Sequence, residues 1–496
     1  MRRLLCLALA VAATEEVILD RCHTGQDLRT PEIFRSENGV LAVTLRVGVA
    51  TLKLPTTTLK TRVFNGQFPG PTLMIRPGDT LTITLFNDLE DIDNRPEYNA
   101  VQLPNSTNLH THGLHQSPNS PGDDVFVTVH PGESRTYTYH IDPAHMGGHH
   151  WFGSLIVQDS EGEVPKSLMN TETTVLDILS LPHWAALKNT RDGKPAPFKG
   201  SPSLQRMQNY FNQALLQPNP DVNGAVAPRI ALERNVWRRF RIVYASTWWS
   251  LLTMIAGSEP GATGNACEWR LLAKDGVYVA EAPRNFGVLP MTPASRTDIL
   301  LRCTEVGKFG RREFDWYGSD VDAPIFGEDS TNLATIYGGS PKDVNPWGEE
   351  YGDMKRKRIY PTTVATLVVT DSLKVAVEPV QFKPNRPCYA VDLMDAPVDR
   401  AVWNLDSPKF INFLKMPEDH VASHLFEIDV GSVVEMELEG ANIHPIHIHV
   451  NHQQLIESGP GLRGYHEDAM GGFTRLGDWH DTAVNGSETA RRQLIL

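Results

Sequence analysis

Short runs of alternating hydrophobic and polar residues recur along the chain, separated by glycine, proline, asparagine and aspartate. Such alternation turns one face of a run toward a core and the other toward water, which predicts β-strands. VLAVTLRVGVATLKL, DTLTITLFNDL, SRTYTYHI and SLIVQD carry the pattern early in the chain. RRFRIVYAS, TDILLRC, TTVATLVVTD and SVVEMELEG carry it later, and the final ETARRQLIL reads as a further strand. Helical periodicity is scarce; only SPSLQRMQNYFNQALLQ, from Ser201 to Gln217, predicts a short helix. Short strands between turn residues predict an all-β chain built of β-sandwich units.

The length of 496 residues suits about three such units. Shifts in composition place them at 38–160, 161–372 and 373–496. The segment from Ala323 to Thr362, rich in glycine, proline and charge, reads as a long loop of the second unit, and Pro379 to Pro387 as the entry to the third. Before the first unit, MRRLLCLALAVAATEEV has two arginines, an apolar run and a small-residue cleavage pattern. That predicts a signal peptide over residues 1–13 and a secreted mature chain. No later run is long and apolar enough to span a membrane as a helix.

The net charge of −13 argues against a nucleic-acid partner. Five cysteines are present, and Cys6 would leave with the signal. Cys22, Cys267, Cys303 and Cys388 remain, an even set in an oxidising compartment. Three pairings are open; Cys267–Cys303 is favoured because both flank what reads as one sheet. A thiol-rich zinc site is not indicated, because no CxxC occurs.

The chemistry lies in the histidines. NIHPIHIHVNHQQ, from Asn442 to Gln454, sets His444, His447, His449 and His452 among isoleucines. In a strand, residues two apart share a face, so His447 and His449 point the same way and His444 points the other way. Pro445 favours a sheet edge. NLHTHGLHQSPNSPGDD, from Asn108 to Asp124, holds a second pair, His110 and His112. Gly113 follows and permits a turn or a close approach. If the end units pack together, four imidazoles meet: one metal takes His110 with His447, another His112 with His449. Clustered imidazoles suit copper or zinc. His115 reads as a rim or surface-loop residue. Asp123 and Asp124 read either as a proton-relaying carboxylate or as an acidic turn.

These stretches resemble a three-domain multicopper oxidase, the group that includes laccases, ascorbate oxidase and bacterial copper oxidases. NGQFPGPTLMIRPGDTLTITLFNDL resembles its opening strands and NLHTHGLH its first copper motif. WRRFRIVYAS, KDGVYV and LPMTPASRTDILLRC resemble its middle domain, HPIHIH its third copper motif, and GDWHDTA the loop that follows. The resemblance implies three cupredoxin-like Greek-key domains, the third incomplete. It implies copper as cofactor, with His110 and His447 as type 2 ligands, His112 and His449 as type 3 ligands and His444 at a type 1 site. It also implies one-electron oxidation of phenolic, metal-ion or similar donors coupled to reduction of dioxygen to water.

Two family motifs are not matched. Where a WxHxH-like stretch belongs, the chain reads HMGGHHWFGSLIVQD, and the adjacent His149 and His150 would face opposite sides of a strand. An HCHxxxH motif with the type 1 cysteine is also missing; no cysteine follows Cys388. A sequence shortened by an imperfect gene reading is one expectation. The other is a degenerate homologue that binds copper or a partner without catalysis. A zinc hydrolase fits poorly, since no HExxH occurs.

Overall fold

In the computed structural model, the described residues are 17–20, 25–53, 58–91, 105–150, 153–180, 221–246, 252–254, 266–286, 289–309, 314–316, 364–374, 377–385, 399–404, 429, 432–439, 445–457, 472–484 and 490–495. They form β-sheets with one short helix, Lys166–Met169. The signal peptide, the Ser201–Gln217 helix, Cys22, Cys388 and His444 lie outside these residues.

The first unit shows how alternation becomes a sheet. TLTITLFN forms the strand Thr80–Asn87, whose leucines and isoleucine are buried while its threonines and Phe86 are partly open. It lies parallel to Val40–Lys53 and antiparallel to Ser134–His140. Val17–Asp20 and Thr58–Phe64 pair with Val40–Lys53. A second sheet has the order Ile33–Arg35, Thr72–Ile75, Leu155–Val157, Gly148–His150. Leu45, Leu73, Ile75, Leu81, Ile83, Tyr137 and Val157 belong to the core these strands bury.

The middle of the chain builds an eight-stranded sheet around Thr173–Ser180, Arg238–Ser246, Arg296–Cys303 and Cys267–Lys274. Cys267 and Cys303 are directly opposite in the ladder and form the favoured disulfide. Lys274-Asp275-Gly276-Val277 is a tight hairpin turn, with both Asp275 and Gly276 at positive φ.

The third sheet has the order Asp399–Asn404, Val433–Glu439, Ala490–Ile495, Gln453–Glu457, Trp479–His480. The strand within ETARRQLIL is therefore paired on both sides. Pro445–His447 forms a separate ladder with Thr482–Val484. The expected strand through His449 stops at His447: the chain bends at His449, and Val450 has a φ of +73°.

Two buried ionic junctions join these sheets. Asp159 accepts from Arg239 and Arg241, and both arginines also contact Asp298. Tyr278 Oη donates to Asp159 at 2.6 Å. At the other junction Asp478 accepts from Lys274 and Arg284 at 2.6 Å each. Burial is the largest influence on the Lys274 ammonium and lowers its pKa to about 8, although Asp478 opposes the shift.

Ile83 is fully buried within the first core, so Ile83→Ala is expected to cost about 2–5 kcal/mol of stability. Thr82→Ala on the open face of the same strand should stay within about 0.5 kcal/mol. Denaturant titration of both variants checks the contrast.

Candidate metal centre

His110, His112, His447 and His449 meet. His110 and His112 lie on an irregular extended segment that turns at Gly113, not in a regular strand. Their ring centroids are 5.3 Å apart. His447 and His449 have centroids 5.0 Å apart, so the two rings share one site even though the strand ends between them. Across the interface, His110 stacks on His449 at 3.8 Å and His112 on His447 at 3.6 Å. The His110–His447 centroids are 5.5 Å apart. The bend after His447 carries His449 round to the His110 side.

Hydrogen bonds decide which ring nitrogens remain free. His110 Nδ1–H donates to Asp123 Oδ2 at 2.7 Å and His449 Nδ1–H to the same oxygen at 3.2 Å. The other Asp123 oxygen accepts the Thr111 backbone N–H at 3.0 Å. His447 Nδ1–H donates to the Asp481 carbonyl at 2.8 Å. Nε2 of His110 and Nε2 of His447 are left buried with no hydrogen-bond partner. Ligand atoms of His110, His447 and His449 lie within 4.8 Å of one another, as do those of His112, His447 and Asp481. Buried lone pairs converging without partners are what a metal ion would satisfy. A carboxylate or carbonyl holding the far nitrogen is the usual outer support of an imidazole ligand. The donor set therefore fits copper.

Protonation points the same way. Burial lowers the His447 pKa to about 2 and the His112 pKa to about 4, so both rings are neutral at pH 7. Burial alone would raise the Asp123 pKa, but hydrogen bonds from His110 and His449 hold its carboxyl well below the usual range. Asp123 is thus an ionised, 2% exposed support of the cluster. Asp124 is the turn residue: it accepts from Ser120 and from the Phe126 N–H.

Behind His112 and His447 lies a second layer of charge. Thr482 Oγ1 is 2.8 Å from His112 Nε2 and donates to Asp481 Oδ1 at 2.9 Å. Asp481 is paired through both oxygens with Arg296, and both residues are 1% exposed. Asp275, on the hairpin turn, accepts the N–H groups of Arg296, Asp481 and Thr482 at 3.0, 3.1 and 3.3 Å. Burial, reinforced by the charge of Asp481, raises the Asp275 pKa to about 6. Arg296 counters burial and keeps Asp481 ionised. Gly113 packs directly on this pair: a Cβ there would lie 2.1 Å from both Arg296 Nη2 and Asp481 Oδ2. Asp275, Arg296 and Asp481 fall within KDGVYV, LPMTPASRTDILLRC and GDWHDTA, where no local pattern gives them a role.

His149 and His150 lie on the strand Gly148–His150. Both are fully buried, and neither belongs to the two groups of convergent ligands. His149 Nε2 bonds the Ser154 hydroxyl at 3.0 Å, and that hydroxyl donates to Asp177 at 2.5 Å. His115 Nδ1–H donates to the Val450 carbonyl at 3.3 Å, and its backbone N–H donates to His145 Nε2 at 3.3 Å. His452 Nε2–H donates to the Asp275 carbonyl at 2.9 Å.

Residues 47–95 match the family model "Multicopper oxidase". Laccase-3 of Arabidopsis thaliana is 37% identical over 82 residues, covering 16% of this chain and 12% of that protein. L-ascorbate oxidase of Nicotiana tabacum is 32% identical over 113 residues, covering 20% and 17%. Laccase-4 of Thanatephorus cucumeris is 28% identical over 220 residues, covering 39% and 37%. The chain thus spans 12–37% of the length of these curated relatives. Among solved structures, the multicopper oxidase of Campylobacter jejuni superposes with a TM-score of 0.59 at 17% identity, covering 96% of this chain and 90% of that one. McoA multicopper oxidase of Aquifex aeolicus gives a TM-score of 0.60 at 16% identity, covering 95% and 92%. These likenesses show the same all-β fold over nearly the whole chain.

Two expectations follow. In the metal-free protein, His112 and His447 bind protons more readily when unfolded than when folded. The unfolded chain therefore takes up more protons as pH falls below 6.5, and stability should drop between about pH 6.5 and 4. Melting curves across that range should show it, and His112→Gln should flatten the slope. Asp123→Asn should weaken Cu(II) binding about 10- to 100-fold in a chelator competition, through loss of the anion that holds two rings.

The family-model match over residues 47–95 and the laccase and ascorbate oxidase relatives agree in likeness: these stretches are similar to multicopper oxidases, and the fold is shared with them.

Proposed function

We propose that this protein is a copper-dependent oxidoreductase. It removes single electrons from phenolic, metal-ion or similar small-molecule donors and passes them to dioxygen, which is reduced to water. The observation that carries this reading is the convergence of the His110, His447 and His449 ligand atoms, with two buried Nε2 lone pairs left without partners. His110, His112, His447 and His449 would hold copper, which supplies one-electron redox chemistry to such a site when bound. By the resemblance, His444 would belong to a separate type 1 site, which is incomplete in this sequence because no cysteine follows Cys388.

The chain's own residues do the rest. Asp123 holds the Nδ1 protons of His110 and His449 and so presents their other nitrogens inward. The Asp481 carbonyl does the same for His447. The carboxylates of Asp123 and Asp481 place negative charge beside a site built to accept a cation. The His449 side chain is 38% exposed and that of His110 29%, so small molecules have a route to the cluster from that side. The signal-like N-terminus supports a secreted location. Three units at 38–160, 161–372 and 373–496 remain our division of the chain.

Copper loading followed by oxygen-electrode measurements with a phenol and with Fe(II) tests the proposal. Oxygen uptake that disappears in a His110→Ala/His447→Ala variant is the expected result. Copper binding with no uptake from any donor would leave a copper-binding protein without turnover. No copper binding at all would overturn both readings.

A further inference from the structure

The middle of the chain contributes no histidine to the cluster among the described residues, yet it reaches the site through Arg296. All five N–H groups of this buried guanidinium are used. Nε donates to the His149 carbonyl at 3.1 Å. Nη1 donates to the Ala294 carbonyl at 3.1 Å and to Asp481 Oδ1 at 2.7 Å. Nη2 donates to the Asp275 carbonyl at 3.1 Å and to Asp481 Oδ2. A fully satisfied arginine fork has one orientation, and lysine cannot reproduce it.

We propose that Arg296 is a positioning residue: by fixing Asp481 and Thr482 it sets which ring nitrogens His447 and His112 present to the metal. The inference rests on the copper reading above. Asp481 faces two ways. Its carboxylate is held by Arg296, while its carbonyl accepts the Nδ1–H of His447, leaving Nε2 bare. The same carboxylate takes the Thr482 hydroxyl proton, so Thr482 Oγ1 is the acceptor for His112 Nε2–H. Two stacked imidazoles are thus registered on adjacent residues of one loop. Asp275 seats that loop from below through the N–H groups of Asp481 and Thr482. With lysine in place of the fork, the Asp481 carboxylate loses its two-point hold. It can then turn, and the Thr482 hydroxyl is released to donate toward His112 instead.

The test uses the full chain carrying Arg296→Lys, which keeps the charge and loses the fork. Folding is checked by circular dichroism and melting. In the metal-free protein, long-range 1H–15N correlation of labelled histidines should show His447 protonated at Nδ1 in the wild type and a mixture of tautomers in Arg296→Lys. Chelator competition should show Cu(II) held at least about tenfold more weakly, and the Cu(II) EPR hyperfine splitting should change. A folded Arg296→Lys protein with wild-type tautomers and unchanged Cu(II) affinity would overturn the proposal. If Arg296→Lys does not fold, Asp275→Asn decides. It leaves the Arg296–Asp481 pair in place but weakens the seat of the loop, and should loosen Cu(II) binding about threefold; unchanged binding and tautomers overturn the proposal. A wild type that binds no copper sinks the functional reading alone, because the tautomer comparison needs no metal.

Discussion

The pairing of Arg296 with Asp481 joins parts of the chain 185 residues apart in a place water does not reach. Removing one partner of such a pair costs about 3–5 kcal/mol, because the other charge is left buried alone. Replacing both by apolar groups of similar volume can be neutral, so the pair is better understood as a device for register than as a source of stability. It acts that way here. The strand that begins at Arg296, the hairpin turn at Asp275 and the loop at Asp481 can meet in one arrangement only. The segment carrying His110 and His112 lies against them through Gly113, whose missing Cβ leaves the guanidinium its room.

The sheets set the boundary conditions for that meeting. Asp159 ties the end of the first unit to Arg239 and Arg241, and Asp478 ties the third sheet to Lys274 and Arg284. Both junctions are buried, and both place their cations on the middle sheet. The segments around His110–Asp123 and His447–Asp481 supply imidazoles and carboxylates, while the middle sheet supplies the charges that hold them still. The stacked pairs His110–His449 and His112–His447 are the outcome.

Much of this was legible in the residues. Alternation located Val40–Lys53, Thr80–Asn87 and Ser134–His140, which turn one face toward a core, and it located Arg238–Ser246 and Val433–Glu439 as well. The disulfide followed from two cysteines in strands that pair. Histidine spacing found four residues of the cluster, since polar side chains at i and i+2 in apolar surroundings are rare without a ligand. The partners of those rings were not legible. The bend after His447 depends on a positive φ at Val450, a residue type that gives no hint of it. Arg296 and Asp481 are separated by far more sequence than any local pattern spans, and a single charge in a strand reads as a solvent-facing residue. His149 and His150 read as a damaged motif at an edge. In the fold they are fully buried, because the Gly148–His150 strand packs against the hairpin turn at Gly276.

His112 and Thr482 touch across a sequence separation of 370 residues. The chain must therefore be made through Thr482 before the two halves of the histidine cluster coexist. A metal held by all four rings could be captured only after that point. A chain whose junctions at Asp159 or Asp478 had failed to close would present its histidines singly and hold an ion only weakly. Occupancy in a cell would thus act as a seal of quality on the assembled cluster.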